Sequence, residues 1–380
     1  MITRQQVEAL LQYQPGQTLV TSCYLNLDRS RTPVQALKIR IKDLLQSAQR
    51  QLEGKAATHE QRESLRADFR QIEEFVMQEL AANHHKGLAI FASTAQKFWQ
   101  AYRLPQLGRN ILVADPAPYV RPLMATLAEY HRYCVVLLDR THGRLFEVYM
   151  GKIVEHSEVA DTVPRRVSEG GFQGRDERNI ERHRTQVVQQ HMQKIAGAAG
   201  KLFQRDHCDR LVLGGHHELL TEFKALLPAA LKPQVVGEFH VDPAKLTVPE
   251  VLRQTLAIEQ RVELEYENRL TSDLIRQAEA GNRAVKGLSR TLAALSRGEV
   301  QLLLVEEGFE LPGYVCTACR HASVEPQPCP QCGQPAAPCN DIVDEAINLA
   351  LLKNCQIKHV RGVTPLRDAG HIGALLRYQA

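Results

Sequence analysis

The spacing of apolar residues divides the first part of the chain into strands and helices. Residues 18–27 mix β-branched and aromatic residues over the length of one strand, and helical patterns follow at 34–53 and 59–82. Two more apolar runs predict a pair of strands at 86–93 and 98–105. Apolar residues in the second helix recur every three or four positions, which places them on one buried face. They are Leu65, Phe69, Ile72, Val76 and Leu80.

The pattern changes at residue 133. Three strand-like runs, 133–139, 143–150 and 152–159, are separated by short turns, which predicts consecutive antiparallel strands. A glycine-rich segment and a long helix follow, then strand, helix, strand and a charged helix at about 248–280. This order is similar to that of an RNase H-like sheet. The long helix has an apolar stripe that we expect to pack on the sheet. The stripe consists of Val188, Met192, Ile195, Ala199 and Leu202.

Gly281 and Asn282 mark a break, after which the pattern predicts a third set of elements. We expect a helix at 284–295, a strand at 300–305 and a helix at 341–352. The run 355–362 is predicted to be the last strand.

At 380 residues and 44% hydrophobic residues, the chain suits two or three domains with ordinary cores. The patterns above predict a multi-domain α/β fold of the α+β kind. Its domains are an N-terminal α/β domain at 1–127, a central domain at 128–280 and a C-terminal domain at 281–380.

Charge and hydropathy restrict the functional classes. The chain has 47 basic and 43 acidic side chains, so contacts with nucleic acid must come from local patches. The first residues lack the pattern of a signal peptide, and no apolar run approaches the ~20 residues that span a bilayer. We therefore predict a soluble cytoplasmic protein without membrane contact.

The glycine-rich segment, SEGGFQGRDERNIERHR at 168–184, carries the candidate chemistry. Gly170 and Gly171 permit a close approach of the main chain to another molecule, and Gln173 offers an amide that donates and accepts hydrogen bonds. The flanking arginines suit phosphate, so we expect a loop that faces RNA. These arginines are Arg165, Arg166, Arg175, Arg178, Arg182 and Arg184. The alternative is an ordinary surface turn.

Four of the nine cysteines form two closely spaced pairs near the C-terminus. Two Cys-x-x-Cys pairs predict a tetrahedral sulfur site for a structural Zn²⁺, because four thiolates leave no open position. The ligands are Cys316, Cys319, Cys329 and Cys332, in an insert at about 313–340. His321 or Cys339 could replace one of the four.

Two features of the central domain have ordinary explanations. Residues 214–217, Gly-Gly-His-His, stand where a strand meets a helix, and we expect a simple turn there rather than an anion site. Asp139 ends the first strand, where RNase H-like nucleases carry a metal-binding carboxylate, and Glu147 is the plausible second acid. We expect Asp139 to form a turn, and a metal-dependent nuclease is the least favoured alternative.

Three pieces of sequence resemble the archaeo-eukaryotic class I peptide chain release factor superfamily, in particular its bacterial branch. Residues 284–308 resemble the opening of the third domain of the family, 370–378 its closing segment, and the cysteine insert the zinc minidomain of archaeal members. The resemblance implies an RNase H-like central domain with a GGQ-type loop. It also implies a third domain with the kink-turn-binding ribosomal-protein fold and a zinc-ribbon insert.

In that resemblance Gly170, Gly171 and Gln173 correspond to the catalytic GGQ, with Phe172 added to give GGFQ. The implied partners are the large ribosomal subunit and peptidyl-tRNA. The N-terminal domain has neither of the stop-codon motifs, NIKS and YxCxxxF, which favours action on stalled ribosomes. The activity would be release or cleavage of peptidyl-tRNA. The alternative is a non-catalytic ribosome- or RNA-binding adaptor for rescue or hibernation.

Overall fold

The computed structural model describes residues 4–13, 18–29, 33–56, 58–82, 86–104, 107, 110–128, 130–160, 176–316, 318–319, 321–325, 328–339 and 341–378. The fold is mixed α/β with several separate sheets. Its contacts divide the chain into two compact units. One unit combines Met1–Glu129 with Tyr266–Ala380, and the other is Tyr130–Glu265. The three-domain division of the sequence stays a prediction.

The N-terminal part of the first unit is a four-stranded antiparallel sheet of order β3-β2-β1-β4, with α2 and α3 on one face. Its elements are α1 (Arg4–Gln12), β1 (Val20–Asn26), α2 (Val34–Lys55), α3 (His59–Ala82), β2 (Gly87–Ser93), β3 (Phe98–Leu104), β4 (Ile111–Asp115) and α4 (Arg121–Ala128). The predicted apolar stripe of α3 is confirmed, since all five residues are buried. The elements α1, β4 and α4 were not predicted.

The second unit contains a five-stranded sheet of order β7-β6-β5-β8-β9, in which only β6 is antiparallel to its neighbours. Its elements are β5 (Tyr133–Leu138), β6 (His142–Tyr149), β7 (Lys152–Ala160), α5 (Asp176–Arg205), β8 (Arg210–Gly215), α6 (His217–Leu226), β9 (Val235–His240) and α7 (Val248–Glu279), the last of which continues into the first unit. This strand order confirms the RNase H-like sheet. The helices α5 and α6 cover one face, and the predicted stripe of α5 is buried there.

The C-terminal part of the first unit holds a second four-stranded sheet, of order β10-β16-β11-β15. A separate three-stranded sheet of order β13-β12-β14 forms the insert. The elements are β10 (Ala284–Lys286), α8 (Leu288–Arg297), β11 (Val300–Glu306), β12 (Gly313–Cys316), β13 (Ala322–Ser323), β14 (Ala336–Cys339), α9 (Ile342–Leu352), β15 (Gln356–Val360) and β16 (Ile372–Leu376).

Two predictions for this region were wrong. The predicted helix at 284–295 begins as a strand, because Gly287 adopts φ 81° and separates β10 from α8. The run 355–362 does contain β15, but the last strand is β16, which lies between β10 and β11. Its cross-strand partners in β10 and β11 determine this position, and they are remote in sequence.

Within the first unit, one hydrophobic cluster contains residues from both parts of the chain. Tyr24 and Phe91 of the N-terminal sheet belong to it together with Leu295 and Ile342. Arg121 also donates to the carbonyl oxygen of Leu351 at 3.0 Å. The two terminal parts therefore share a core. Among the described residues, the longer helices are all too polar to cross a bilayer.

Candidate functional site

The glycine-rich segment lies between β7, which ends at Ala160, and α5, which begins at Asp176. Its central residues therefore lie outside the described residues. These are Arg165, Arg166, Gly170, Gly171, Gln173 and Arg175. Arg178 lies in α5, but its side chain also falls outside the description. Of the six predicted arginines, Arg182 is exposed and Arg184 is partly buried on the first turns of α5.

The residue that precedes this segment, Ala160, lies at the end of the sheet where β5 also ends. Ala160, the end of β7, pairs with His142, which follows the turn after β5. Since β7, β5, β8 and β9 run in the same direction, the segment leaves the sheet at the edge where all four strands end. Among the α5 residues whose side chains the structure describes, from Arg182 onward, the first core residue is Val188. Val188 is twelve residues after the start of the helix, which is about 18 Å at 1.5 Å per residue.

A cavity of about 620 Å³ lies at the same edge. Its lining residues are Asp139, Arg140, Thr141, His216, His217, Glu218, Leu219 and Asp242. They follow the ends of β5, β8 and β9, where ligands commonly bind in open α/β sheets. The lining has three acids and one arginine, which does not suit a phosphate.

The turn between β8 and α6 explains the two adjacent glycines in this edge. Gly215 has φ 153°, and a Cβ atom there would lie 2.5 Å from the carbonyl oxygen of Leu138. A Cβ atom on Gly214 would meet the ring of Phe239 at 2.4 Å. Both glycines are therefore required by the close packing of strands and ring. The predicted simple strand-helix turn is confirmed.

Asp139 forms a turn, as predicted. Its Oδ1 accepts from the backbone N–H groups of Thr141 and His142 at 2.6 and 2.7 Å. Desolvation alone would raise the pKa of Asp139, but these hydrogen bonds lower it below its usual value. Glu147 on β6 is the cross-strand partner of Cys134, near the start of β5, whereas Asp139 follows the end of β5. The two acids do not converge, so the alternative of a two-carboxylate nuclease site at Asp139 and Glu147 is wrong.

The four predicted cysteines come together in the insert. The Sγ atoms of Cys316 and Cys332 are 3.4 Å apart, and those of Cys319 and Cys329 are 3.3 Å apart. The four Sγ atoms all lie within 4.8 Å of one another, so the group can hold a metal ion. Within the described ranges, neither His321 nor Cys339 belongs to this group.

Both cysteine pairs have the geometry of a metal-binding knuckle. The N–H of Cys316 donates to the carbonyl oxygen of His321, and the N–H of Cys329 donates to that of Gln334, each at 2.9 Å. Gly333 closes the second knuckle with φ 69°. The N–H of Cys319 points at Sγ of Cys316, and this hydrogen bond is the main cause that lowers the pKa of Cys316 to about 6. Backbone donors that stabilise a thiolate are suited to a metal ligand.

The fold and these sites can be compared with known proteins. Residues 118–260 match the model of the bacterial archaeo-eukaryotic release factor family 10. The resemblance to the release-factor superfamily is confirmed. The matched residues include the RNase H-like sheet, the glycine-rich segment and α5. A comparison with curated protein sequences gives no match.

Several solved structures align with much of this chain. The archaeal translation termination factor aRF1 is 14% identical over 99% of both chains, with a TM-score of 0.26. Archaeal Pelota, from a model of ribosome-bound Pelota and ABCE1, is 12% identical over 77% of this chain and 78% of its own, with a TM-score of 0.41. Dom34 of S. cerevisiae is 9% identical over 77% of this chain and 81% of its own, also with a TM-score of 0.41.

Proposed function

We propose that this protein is a ribosome-associated translation factor that releases or cleaves peptidyl-tRNA on stalled ribosomes through its GGFQ loop. The observation that carries the proposal is the family match at 118–260, which includes the loop. The partners would be the large ribosomal subunit and peptidyl-tRNA, in the cytoplasm. The lack of NIKS and YxCxxxF in the N-terminal part favours stalled ribosomes over stop codons.

The helix that follows the loop supports this proposal. A segment that must enter a crowded site needs a long carrier, and Val188, the first core residue among the described side chains of α5, is about 18 Å from the start of the helix. Arg182, on this part of α5, is exposed and can contact phosphate. Arg165, Arg166, Arg175, Arg178 and Arg184 would add to this contact.

The chemistry would rest on Gln173. In ester hydrolysis, water attacks the carbonyl carbon of peptidyl-tRNA. A neutral amide cannot act as a general base, so Gln173 would orient the water or bind the oxyanion. The tRNA or the ribosome would transfer the proton. Orientation alone can lower a barrier by about 7–11 kcal/mol in favourable intramolecular reactions.

Cleavage of the tRNA near its 3′ end is the other form of the reaction. A ribose 2′-OH would attack the adjacent phosphorus, and the 5′-oxygen of the next nucleotide would leave. Arg175 and Arg178 would then stabilise the charge on the phosphate.

We also propose that the four cysteines bind a structural Zn²⁺. Cys316, Cys319, Cys329 and Cys332 would hold it without an open position, which fits a role in folding the insert.

A non-catalytic adaptor for rescue or hibernation is the second candidate. Phe172 favours it, since the extra residue moves the glutamine one position away from the glycines. In that case the loop would dock on the ribosome without reaction.

A single-turnover assay separates the two candidates. Large ribosomal subunits carrying labelled peptidyl-tRNA are mixed with wild type, Gln173→Ala or Gly171→Ala. We expect wild type to release the peptide, and Gln173→Ala to lower the rate about 10²–10³-fold with binding unchanged, as for the loss of one oxyanion donor. Intact tRNA indicates ester hydrolysis, and a shortened tRNA indicates phosphodiester cleavage. Binding by wild type without either product would contradict the catalytic proposal and support the adaptor.

A further inference from the structure

Three side chains from separate elements converge near the start of β5, at the end of the sheet opposite the C-terminal end of β7. Glu147 lies on β6, His156 on β7, and Asp206 follows α5. Nε2 of His156 is 3.0 Å from Oε2 of Glu147 and 3.5 Å from Oδ2 of Asp206. One possible ligand atom of each residue lies within 4.8 Å of the other two.

A β-bulge positions His156. Phe146 pairs with Glu155, but the preceding residue of β6, Leu145, pairs with Ser157. His156 is therefore the extra residue on β7. A bulge changes the direction of a side chain relative to a regular strand, and bulges are common beside functional sites.

Other groups hold the outer atoms of the cluster. The guanidinium of Arg132 lies 4.4 Å from the ring centroid of Tyr149 and donates to Oε1 of Glu147, so Oε2 remains directed at His156. The side chains of Glu147, His156 and Asp206 are 12, 21 and 16% exposed. They are partly desolvated and still accessible to an ion from solvent.

A neutral histidine does not satisfy this arrangement well. With its proton on Nε2, His156 can donate a good hydrogen bond to only one of the two carboxylates that face it. The closer one is Glu147. A cation bonded to Nε2 would contact both carboxylates at once. Tetrahedral Zn²⁺ with bonds of about 2.0–2.1 Å requires its ligand atoms to be about 3.3 Å apart, close to the two separations observed.

We propose that Glu147, His156 and Asp206 bind one divalent transition-metal ion, such as Zn²⁺ or Mn²⁺. One nitrogen and two carboxylate oxygens suit these borderline and hard ions. Three protein ligands leave a coordination position for water, in contrast to a site of four thiolates. The site is independent of the proposed action on peptidyl-tRNA.

Arg205 is the group that must move when the metal binds. Its Nη2 donates to Nδ1 of His156 at 2.9 Å, which requires the proton of the imidazole to be on Nε2. A metal on Nε2 moves that proton to Nδ1, where a guanidinium would oppose it. Arg205 is 63% exposed, so its guanidinium can turn into solvent, but its Nε and Nη2 also donate to Oδ1 and Oδ2 of Asp206, and the bond to Oδ2 must break when the metal binds. Arg205 is therefore a competitor of the metal.

Titration with Mn²⁺ tests the site in the full chain. The protein is stripped with a chelator, and free Mn²⁺ is measured by electron paramagnetic resonance, since four thiolates bind this hard ion poorly. We expect wild type to bind about one Mn²⁺ per chain and His156→Ala to lower the affinity at least about tenfold. Arg205→Ala should raise the affinity severalfold because it removes the competitor. His183→Ala, which changes an exposed histidine on α5, should bind as wild type does.

Three outcomes would overturn the proposal. They are no uptake by wild type, equal binding by His156→Ala, and weaker binding by Arg205→Ala. The first two would mean that the three side chains form only a salt-bridge network with the arginines, and the third would mean that Arg205 positions Asp206 instead of competing with the metal. Circular dichroism checks the fold of each variant. If His156→Ala does not fold, wild type and Arg205→Ala still decide between the two possibilities.

Discussion

The cysteine cluster and the Glu147–His156–Asp206 cluster differ in how much of the chain each must assemble. The four cysteines span seventeen residues, and two local knuckles bring their sulfurs together. The other cluster spans sixty residues and depends on a bulge in β7 and on the packing of α5 against the sheet. A local site is visible as a motif, whereas a dispersed site exists only in the folded sheet.

Loss of the local site should have the largest effect. Cys316→Ser with Cys329→Ser removes one ligand from each knuckle, and we expect loss of the bound metal and unfolding of the insert. Structural zinc supplies about 10–16 kcal/mol of apparent free energy in small zinc-binding peptides, far more than a small sheet can supply itself. Metal content by mass spectrometry and limited proteolysis of the insert measure the two effects.

Cys339→Ser is the matched control, because Cys339 lies on β14 of the same insert but outside the cluster. It should keep both the metal and the resistance to protease. If purified wild type contains no metal and melts at the same temperature as the Cys316→Ser, Cys329→Ser variant, the cysteines do not bind a structural metal.

Weaker packing of α5 against the sheet that carries the Glu147–His156–Asp206 cluster should have an intermediate effect on stability. Ile195 of α5 is fully buried against the sheet, and Ile195→Ala should lower the free energy of unfolding by about 2–5 kcal/mol. Urea unfolding of the full chain, followed by circular dichroism, gives the value for the transition of the second unit, Tyr130–Glu265. Metal bound by the cysteines should not change, since the insert lies in the other unit. Equal loss of metal from the cysteines would contradict the independence of the two clusters.

A third polar site, satisfied by hydrogen bonds, should show the smallest effect. Asp68 is fully buried and accepts from the hydroxyl groups of Thr21 and Thr94 and from the N–H of Thr94, at 2.6–2.7 Å. Burial raises the pKa of Asp68 above 3.8, although these hydrogen bonds lower it in part. The carboxyl group therefore stabilises the fold most below pH 3.8, and that contribution is lost as the pH rises through the folded pKa.

Asp68→Asn removes this titration and keeps an acceptor for Thr94. We expect its stability at pH 4 to be within about 1 kcal/mol of wild type, and its stability to fall less as the pH rises to 7. Urea unfolding at pH 4, 5, 6 and 7 measures both slopes. Parallel curves for the two proteins would mean that Asp68 titrates in the same way when folded and unfolded.

Periodicity predicted the elements whose packing is regular. The stripes of α3 and α5, the antiparallel pair β2 and β3 and the RNase H-like strand order are all confirmed. The prediction failed at Gly287, where a residue with positive φ separates a three-residue strand from a helix. It also missed β16, whose place between β10 and β11 depends on partners remote in sequence.

The sequence by itself determined the features that depend on near neighbours. These include the apolar faces of the helices, the two knuckles of Cys316 to Cys332, and the turn at Asp139. Only the tertiary structure decided that Glu147 faces His156 and Asp206 rather than Asp139. The physical reason is strand register, because a bulge and the pairing of β5 with β6 determine which end of the sheet each acid occupies.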